Sequence, residues 1–186
     1  MATAVSVIFS CAKQMPPSGG PRDITPPKII KSTPASGSLN FKGKSIVVTF
    51  DEYVALDKVN EKFMISPPVN KKPNIVLKKK SLYIEFKEKL KDNTTYTLYF
   101  QDAIKDLNEG NPIPNFQFVF STGNVLDSLS VLGNIYNAFD LEAPENIIIL
   151  MYKTLADSAP MKLLPDYITL ADINGGFRIN NIGEGT

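Results

Sequence analysis

The sequence contains no histidine and no tryptophan, and it has one cysteine among 186 residues. Without histidine, Ser-His-Asp and Cys-His nucleophile systems are excluded, and so is every metal site built on imidazole. Without tryptophan, the usual large platform for stacking a sugar is missing, although tyrosine or phenylalanine could take its place. A lone cysteine cannot form an internal disulfide, which excludes a disulfide-stapled extracellular scaffold. We therefore expect a protein without enzymatic activity and without a cofactor.

A strong net charge is also missing, but the charge is unevenly distributed. Residues 1–126 contain 17 basic and 11 acidic side chains, whereas residues 127–186 contain 3 basic and 8 acidic ones. Neither part is basic enough to indicate a nucleic-acid binder, so we expect no nucleic-acid partner. The change of sign supports a boundary between two units near residue 126.

No long stretch has helical periodicity, and the 14 prolines and 11 glycines suit short strands joined by turns. The clearest strands lie between residues 94 and 123. In the first, Tyr96, Leu98 and Phe100 share one side, and Thr95, Thr97 and Tyr99 share the other. In the second, Phe116, Phe118 and Phe120 share one side. This alternation predicts two antiparallel strands with aromatic inner faces at the centre of a β-sandwich.

Shorter alternating runs complete a set of about seven strands, with turns every 8–12 residues or so, which is typical of an immunoglobulin-like β-sandwich. Ile29 and Ile30 predict an edge strand, and Lys78 to Ser81 predict the turn of a hairpin. Tyr96 stands at the start of the penultimate strand, where a tyrosine corner is expected. The predicted fold class is all-β, with this domain over residues 28–124.

A second set of strands is predicted from Ser128 onward. Residues 129–137 and the apolar run 146–152 each predict a strand. Residues 167–170 and 177–179 predict a hairpin around an Asp-Ile-Asn-Gly-Gly turn. Gly133-x-Ile-Tyr together with the Gly-Phe and Gly-Thr near the end resembles the start of a carboxypeptidase-regulatory-like (transthyretin-like) sandwich. We expect a second, incomplete β-sandwich over residues 128–186, with an open edge.

The N-terminal residues predict a lipid anchor. A short apolar stretch leads into Ile8-Phe9-Ser10-Cys11, which resembles a bacterial lipobox in which the cysteine is lipidated. Residues 12–27 carry five prolines and two glycines, so residues 11–27 are expected to form an extended tether. We expect residues 1–10 to be a signal peptide and Cys11 to hold the protein on a membrane. An incidental or buried thiol is the alternative.

Several motifs in residues 26–123 together resemble the bacterial Ig-like domain first described in S-layer proteins. They include Ile46-Val-Val-Thr-Phe50-Asp-Glu, Asn93-Thr-Thr-Tyr96 and Phe118-x-Phe120-Ser-Thr-Gly. Combined with Cys11 and the proline-rich tether, they resemble outer-membrane lipoproteins of Bacteroidota. This resemblance implies a structural or adhesive module without active-site residues.

Two groups of oxygen-bearing side chains are candidate sites. Asp106, Asn108 and Asn111, with Glu109, lie in one turn, but a calcium loop needs six to eight oxygens, so a hydrogen-bonded turn is favoured over a metal site. Paired carboxylates can serve a glycosidase when suitably spaced. Solvated loop charges are nevertheless the favoured interpretation of the carboxylates Asp51, Glu52, Asp102 and Asp106.

Lysines and tyrosines supply the candidate binding residues. Eight lysines crowd a basic hairpin region that either binds acidic groups or prevents edge-to-edge association, and the protective role is favoured. They are Lys71, Lys72, Lys78, Lys79, Lys80, Lys87, Lys89 and Lys91. Tyr53, Tyr83 and Tyr99 are candidate platforms for a glycan. We expect a lipid-anchored outer-membrane protein that docks an envelope protein partner, with glycan binding as the alternative. The sequence leaves the periplasmic and cell-surface faces both open.

Overall fold

The computed structural model describes residues 20–144 and 147–184. Cys11, the predicted signal peptide and most of the predicted tether lie outside the described residues. Nine strands form the first part of the chain: β1 (Ile29–Thr33), β2 (Ser45–Phe50), β3 (Val54–Leu56), β4 (Met64–Ser66), β5 (Asn74–Lys78), β6 (Ser81–Glu85), β7 (Thr95–Gln101), β8 (Ile104–Asp106) and β9 (Phe116–Ser121).

Seven of these strands form two antiparallel sheets, one in the order β1-β2-β6-β5 and the other in the order β4-β7-β9. This is the strand order of a constant-type immunoglobulin sandwich, in which four strands face three. The predicted all-β class and immunoglobulin-like sandwich are confirmed. The predicted hairpin is also present, because Lys78 pairs with Ser81 across the β5–β6 turn.

The core lies between the two sheets and follows the alternation of the sequence. Ile46, Val48 and Phe50 on β2 have no exposed surface. On β9, Phe118 is 1% exposed and Phe120 is fully buried. Phe41 and Phe120 meet edge to face with ring centroids 4.7 Å apart. Burial of such side chains is the main source of stability, since each contributes roughly 1.5–3 kcal/mol.

The segment between β1 and β2 closes one side of the sandwich. Ser38 forms a parallel bridge with Phe120, and the backbone N–H of Gly37 donates to the carbonyl of Val119 at 2.7 Å. The N–H of Phe41 donates in turn to the carbonyl of Ser121. The chain therefore leaves the four-stranded sheet after β1 and covers the C-terminal part of the β9 edge.

Tyr96 forms the predicted tyrosine corner. Its hydroxyl accepts a hydrogen bond from the backbone N–H of Lys91 at 3.0 Å, and the residue is only 1% exposed. The ring stacks on Phe120, with centroids 5.5 Å apart. This contact fixes the loop that crosses from β6 to β7, as such corners do in other sandwiches.

Short elements that the sequence did not predict supplement the sandwich. β3 pairs with β8 in a two-stranded ribbon, and Val59–Lys62 form a single helical turn, α1, before β4. A second helical turn, α2, covers Ala159–Lys162. Within the described residues, no helix is long and apolar enough to span a membrane.

The second unit, residues 128–184, contains four strands: β10 (Leu129–Asn134), β11 (Ile148–Met151), β12 (Tyr167–Leu170) and β13 (Gly176–Ile182). β10 pairs with β13, and β11 pairs with β12. The predicted hairpin between the last two strands is wrong, because β12 and β13 belong to different sheets. The predicted turn between them is present, and the carboxylate of Asp172 accepts hydrogen bonds from the N–H groups of Asn174 and Gly176.

The second unit packs on the outer side of the β4-β7-β9 sheet. The hydroxyl of Thr97 donates to the Asn181 side chain at 3.0 Å, and the N–H of Ile168 donates to the hydroxyl of Ser66 at 3.1 Å. Thr95 receives a hydrogen bond from the N–H of Asp127. This third layer buries both sides of β7.

Candidate functional site

The lysine hairpin lies at the pole where the chain enters the sandwich. Lys79 occupies the left-handed region at φ 56°, and the Lys80 ammonium donates to the backbone carbonyl of Asp51 at 2.6 Å. The ammonium groups of Lys78 and Lys80 sit 5.1 Å and 5.5 Å from the ring centroids of Tyr83 and Tyr53. Lys78 and Lys80 therefore contact their own hairpin and its neighbours, while Lys79 is exposed.

The three candidate tyrosines do not form one platform. Tyr53 is 53% exposed and Tyr83 is half-buried, each with a lysine ammonium near its ring. Tyr99 is only 5% exposed, because the second unit covers its side of β7. The prediction of Tyr99 as a glycan platform is therefore wrong: a ring in this position cannot stack on a ligand from solvent.

Asp106 organises the turn that contains the candidate metal ligands Asn108 and Asn111. One carboxylate oxygen accepts from the N–H groups of Glu109 and Gly110 at 2.6 and 3.0 Å, and the other accepts from the N–H of Asn111 at 2.7 Å. Burial opposes ionisation, but these hydrogen bonds outweigh it and lower the pKa of Asp106. Asn108 is exposed. Within residues 20–144 and 147–184, no three acidic or cysteine side chains could hold a metal ion together.

The carboxylates that could form an acid–base pair interact with different partners. Asp51 accepts from the backbone N–H of Lys28 at 2.8 Å, whereas Asp102 forms an ion pair with Lys62 at 2.9 Å. Burial, and then the nearby charges of Asp106 and Asp51, raise the pKa of Glu52. The negative charges of Asp51, Glu52 and Asp106 repel one another in this turn region. These carboxylates do not form an acid–base pair that faces a cleft.

Asp57 is the centre of a small ion-pair network. The ammonium groups of Lys105 and Lys62 reach its Oδ2 at 2.8 and 2.9 Å, and Lys62 also contacts Asp102. The hydrogen bond from Lys105, followed by that from Lys62, lowers the pKa of Asp57 to about 2. The network joins α1 to the start of β8 and is structural.

Sequence reasoning missed a cleft at the opposite pole of the sandwich. It has a volume of about 610 Å³, and its floor contains Phe41, Phe86 and Leu90. Lysines line it from two separate segments, which the β2–β6 pairing brings together through Ser45 and Glu85. The four lysines are Lys42, Lys44, Lys87 and Lys89. The only signal in the sequence was the position of Lys87 and Lys89 in the basic region.

A second, open cleft of about 380 Å³ separates the β4-β7-β9 sheet from the second unit. It is lined by amide side chains and one guanidinium, those of Gln101, Asn115, Gln117, Asn134 and Arg178. Its floor is closed by the buried rings of Tyr99 and Phe116. The carboxylate of Asp172 also lines this cleft, and it accepts hydrogen bonds from its own turn.

The outer strands of the second unit carry exposed apolar side chains. Within residues 20–144 and 147–184, β10 pairs only with β13, and β11 pairs only with β12. On β10, Val131 and Leu132 are 45% and 66% exposed, and on β11, Ile148 and Leu150 are 53% and 45% exposed. These strands therefore have unpaired edges next to apolar surface.

A family model described as "Bacterial Ig-like domain" matches residues 23–122, which contain all nine strands of the first part of the chain. No curated protein matches the chain.

Three solved structures illustrate what the chain is similar to. The N-terminal part of the bacterial S-layer protein SbsC is 18% identical, with a TM-score of 0.35, and the match covers 84% of this chain and 33% of that one. Domains 1–6 of the same surface layer protein are 19% identical, with a TM-score of 0.34, and the match covers 84% of this chain and 19% of that one. An L,D-transpeptidase from Mycobacterium smegmatis is 10% identical, with a TM-score of 0.34 and coverages of 79% and 77%. The chain thus spans a third or less of the S-layer structures.

Proposed function

Because the chain belongs to the bacterial Ig-like domain family, we propose that it is a non-catalytic module of the cell envelope that docks a partner protein on its second unit. The immunoglobulin-like sandwich serves as a rigid support, and the partner supplies an extended strand. Enzymatic activity is not proposed, since the sequence has no histidine and the carboxylates weighed as a pair are engaged in turns and ion pairs.

The free edges of β10 and β11 are the observation that carries this proposal. An edge strand presents unpaired N–H and C=O groups, which form a template for a strand from another chain. Here the edges adjoin the exposed side chains of Val131, Leu132, Ile148 and Leu150. Soluble proteins normally protect such edges with lysine, proline or a covering loop, and neither strand contains lysine or proline.

Site-specific photo-crosslinking in intact cells tests the docking surface. A photo-reactive residue replaces Leu132 on β10 in one variant and Ile30 on β1 in the control variant. The control is matched, because both side chains are 66% exposed and both stand on edge strands. We expect an adduct with a distinct envelope protein from position 132 and none from position 30.

Three outcomes would contradict the proposed docking mode. The absence of an adduct at position 132, or the same adducts from both positions, would remove the β10 edge as a specific docking surface. An adduct with the mass of two copies of this chain would show self-association instead of partner binding. A substitution of Leu132 by lysine should abolish the specific adduct from a second probe at Val131 on the same strand.

We also propose that the module is anchored to the outer membrane through lipidated Cys11. The part of the proline-rich segment before Arg22 would then act as a spacer, since ten extended residues reach roughly 30 Å. Arg22 and Asp23 already belong to the sandwich, because they form hydrogen bonds with Glu109 and Asn111. Metabolic labelling with a fatty-acid analogue, followed by fractionation, tests the anchor. Cys11→Ser should lose both the label and membrane association, and an unlabelled, membrane-bound Cys11→Ser protein would refute the proposal.

Glycan binding is the second candidate function, and Tyr53 is the observation that favours it. Its ring is 53% exposed at a turn, with a lysine ammonium nearby that could contact an acidic sugar. Tyr53→Ala should then weaken retention on a polysaccharide column, whereas unchanged retention would exclude this residue as a platform.

A further inference from the structure

We propose that the cleft between the start of β2 and the end of β6 binds a free, single-chain anionic amphiphile, with a carboxylate head group and a linear acyl tail. The site lies at the pole opposite the residues where the chain enters the sandwich. Lys44 precedes β2 and Asp51 follows it, so the six residues of the strand separate the two poles by about 20 Å. The proposal is independent of partner docking on the second unit.

The floor of the cleft suits an acyl chain. Phe41 and Phe86 meet edge to face with ring centroids 6.0 Å apart, and both rest on the ring of Phe120. Leu90 completes this apolar surface and is only partly buried. Because the three rings are packed into the sandwich core, the floor is preformed and does not have to rearrange for a ligand.

The size of the cleft also suits a small molecule. Its volume of about 610 Å³ falls within the range of roughly 300–1,000 Å³ typical of ligand pockets. The cleft between the sheet and the second unit is smaller, and four amide side chains, a guanidinium and a carboxylate contribute to its lining. An acyl tail therefore fits the lysine-rimmed cleft better.

The lysines at the rim determine the sign of the head group. Within the described residues, the ammonium groups of Lys42, Lys44 and Lys87 form no ion pair and no side-chain hydrogen bond, whereas Lys89 is paired with Asp92 at 3.0 Å. Glu88 also lines the cleft, and its carboxylate accepts a hydrogen bond from the backbone N–H of Asn70. Three unpaired cations around an apolar floor are complementary to one anionic head group joined to a hydrocarbon tail.

Isothermal titration calorimetry with dodecanoate, below its micelle concentration, tests the proposal on the full chain. Dodecanol and acetate serve as comparison ligands that lack the charge and the tail. We expect dodecanoate to bind one site, dodecanol to bind at least about tenfold more weakly, and acetate to show no binding. Shortening the tail to octanoate should weaken binding about tenfold or more, since each buried methylene contributes to affinity.

Two triple variants separate the cleft from general charge attraction. The cleft variant carries Lys42→Gln, Lys44→Gln and Lys87→Gln. The control variant carries the same substitution at the three hairpin lysines of the other pole, 78, 79 and 80. Both lose three positive charges, but only the cleft variant should bind dodecanoate about tenfold more weakly, because exposed pairs contribute up to about one kcal/mol each.

Chemical shifts on the unmodified chain locate the ligand even if a variant fails to fold. The backbone N–H signals of Gly43 and Thr122, which line the cleft, should move with dodecanoate, and that of Gly110 at the other pole should not. Equal binding by the two triple variants, equal affinity for dodecanol, or shifts confined to the second unit would each overturn the proposal. Crosslinking from position 132 would be unaffected by any of these outcomes.

Discussion

Removing the hydroxyl of Tyr96 is the most direct test of how the sandwich is held together. In Tyr96→Phe, the ring keeps its stacking on Phe120, and only the hydrogen bond from the Lys91 N–H is lost. The variant therefore isolates one polar contact within an otherwise unchanged aromatic core.

The expected cost follows from the burial of this contact. An internal hydrogen bond contributes about 0.5–1.5 kcal/mol, and a donor left without its acceptor adds to the loss. Because Tyr96 is 1% exposed, water cannot easily replace the hydroxyl. We expect the free energy of unfolding to fall by about 1–2 kcal/mol. For a chain of this size that corresponds to a lowering of the melting temperature by roughly 2–8 °C.

Urea denaturation followed by circular dichroism measures this loss, and Tyr83→Phe provides the matched control. Tyr83 lies on a neighbouring strand, is half-buried and makes no hydrogen bond through its hydroxyl within the described residues. Its substitution should change the free energy of unfolding by less than about 0.5 kcal/mol. Equal values for the two variants, or no loss in Tyr96→Phe, would refute the role assigned to the corner.

Three further predictions concern other parts of the structure. Thr97→Val should lower the free energy of unfolding by about 1 kcal/mol, because the Asn181 side chain loses its donor, and urea titration measures this. The ion pairs of Asp57 hold its folded pKa at about 2, below the ordinary 3.8, so their contribution is present above about pH 4 and disappears as the pH falls towards 2. Asp57→Asn should therefore flatten the fall of the melting temperature over that range. Gly123→Ala should lower the melting temperature, because a Cβ would lie 2.9 Å from the Cα of Asn93, whereas Gly20→Ala should be neutral because nothing lies within 4 Å.

The core-facing sides of the sandwich strands could be predicted from the sequence, because the alternation of side chains along one strand is a local pattern. Ile46, Val48 and Phe50 recur at every second position of β2, so the side that faces the core follows from the period of a strand. The tyrosine corner was predictable for the same reason, since it depends on one residue at the start of one strand.

The third layer left no such signal. Thr95, Thr97 and Ser66 are buried by the second unit, yet their contacts with it are hydrogen bonds made by residues typical of a solvated sheet. Polar side chains on alternate positions therefore predict an exposed surface even where another layer covers it. The assignment of β12 and β13 to one hairpin failed because a short turn does not determine whether its strands stay in one sheet.

The lysine-rimmed cleft was hidden by distance along the chain. Lys42 and Lys44 are more than forty residues away from Lys87 and Lys89, and only the pairing of β2 with β6 brings them together. The basic region that the sequence did reveal is divided between the two poles, because Lys78 to Lys80 lie at one pole and Lys87 and Lys89 line the cleft at the other. A count of lysines along the chain therefore indicates how many cations are present, and the sheet register determines which of them share a ligand.

The packing of the second unit against β7 has a mechanical consequence. If the two halves were joined by a linker alone, a pull on the C-terminal half would stretch that linker and leave the sandwich at rest. Here the load also crosses a broad surface, through the Thr97–Asn181 and Ser66–Ile168 contacts, and several hydrogen bonds resist it in parallel. A force applied to the second unit is therefore transmitted directly to the β4-β7-β9 sheet of the sandwich.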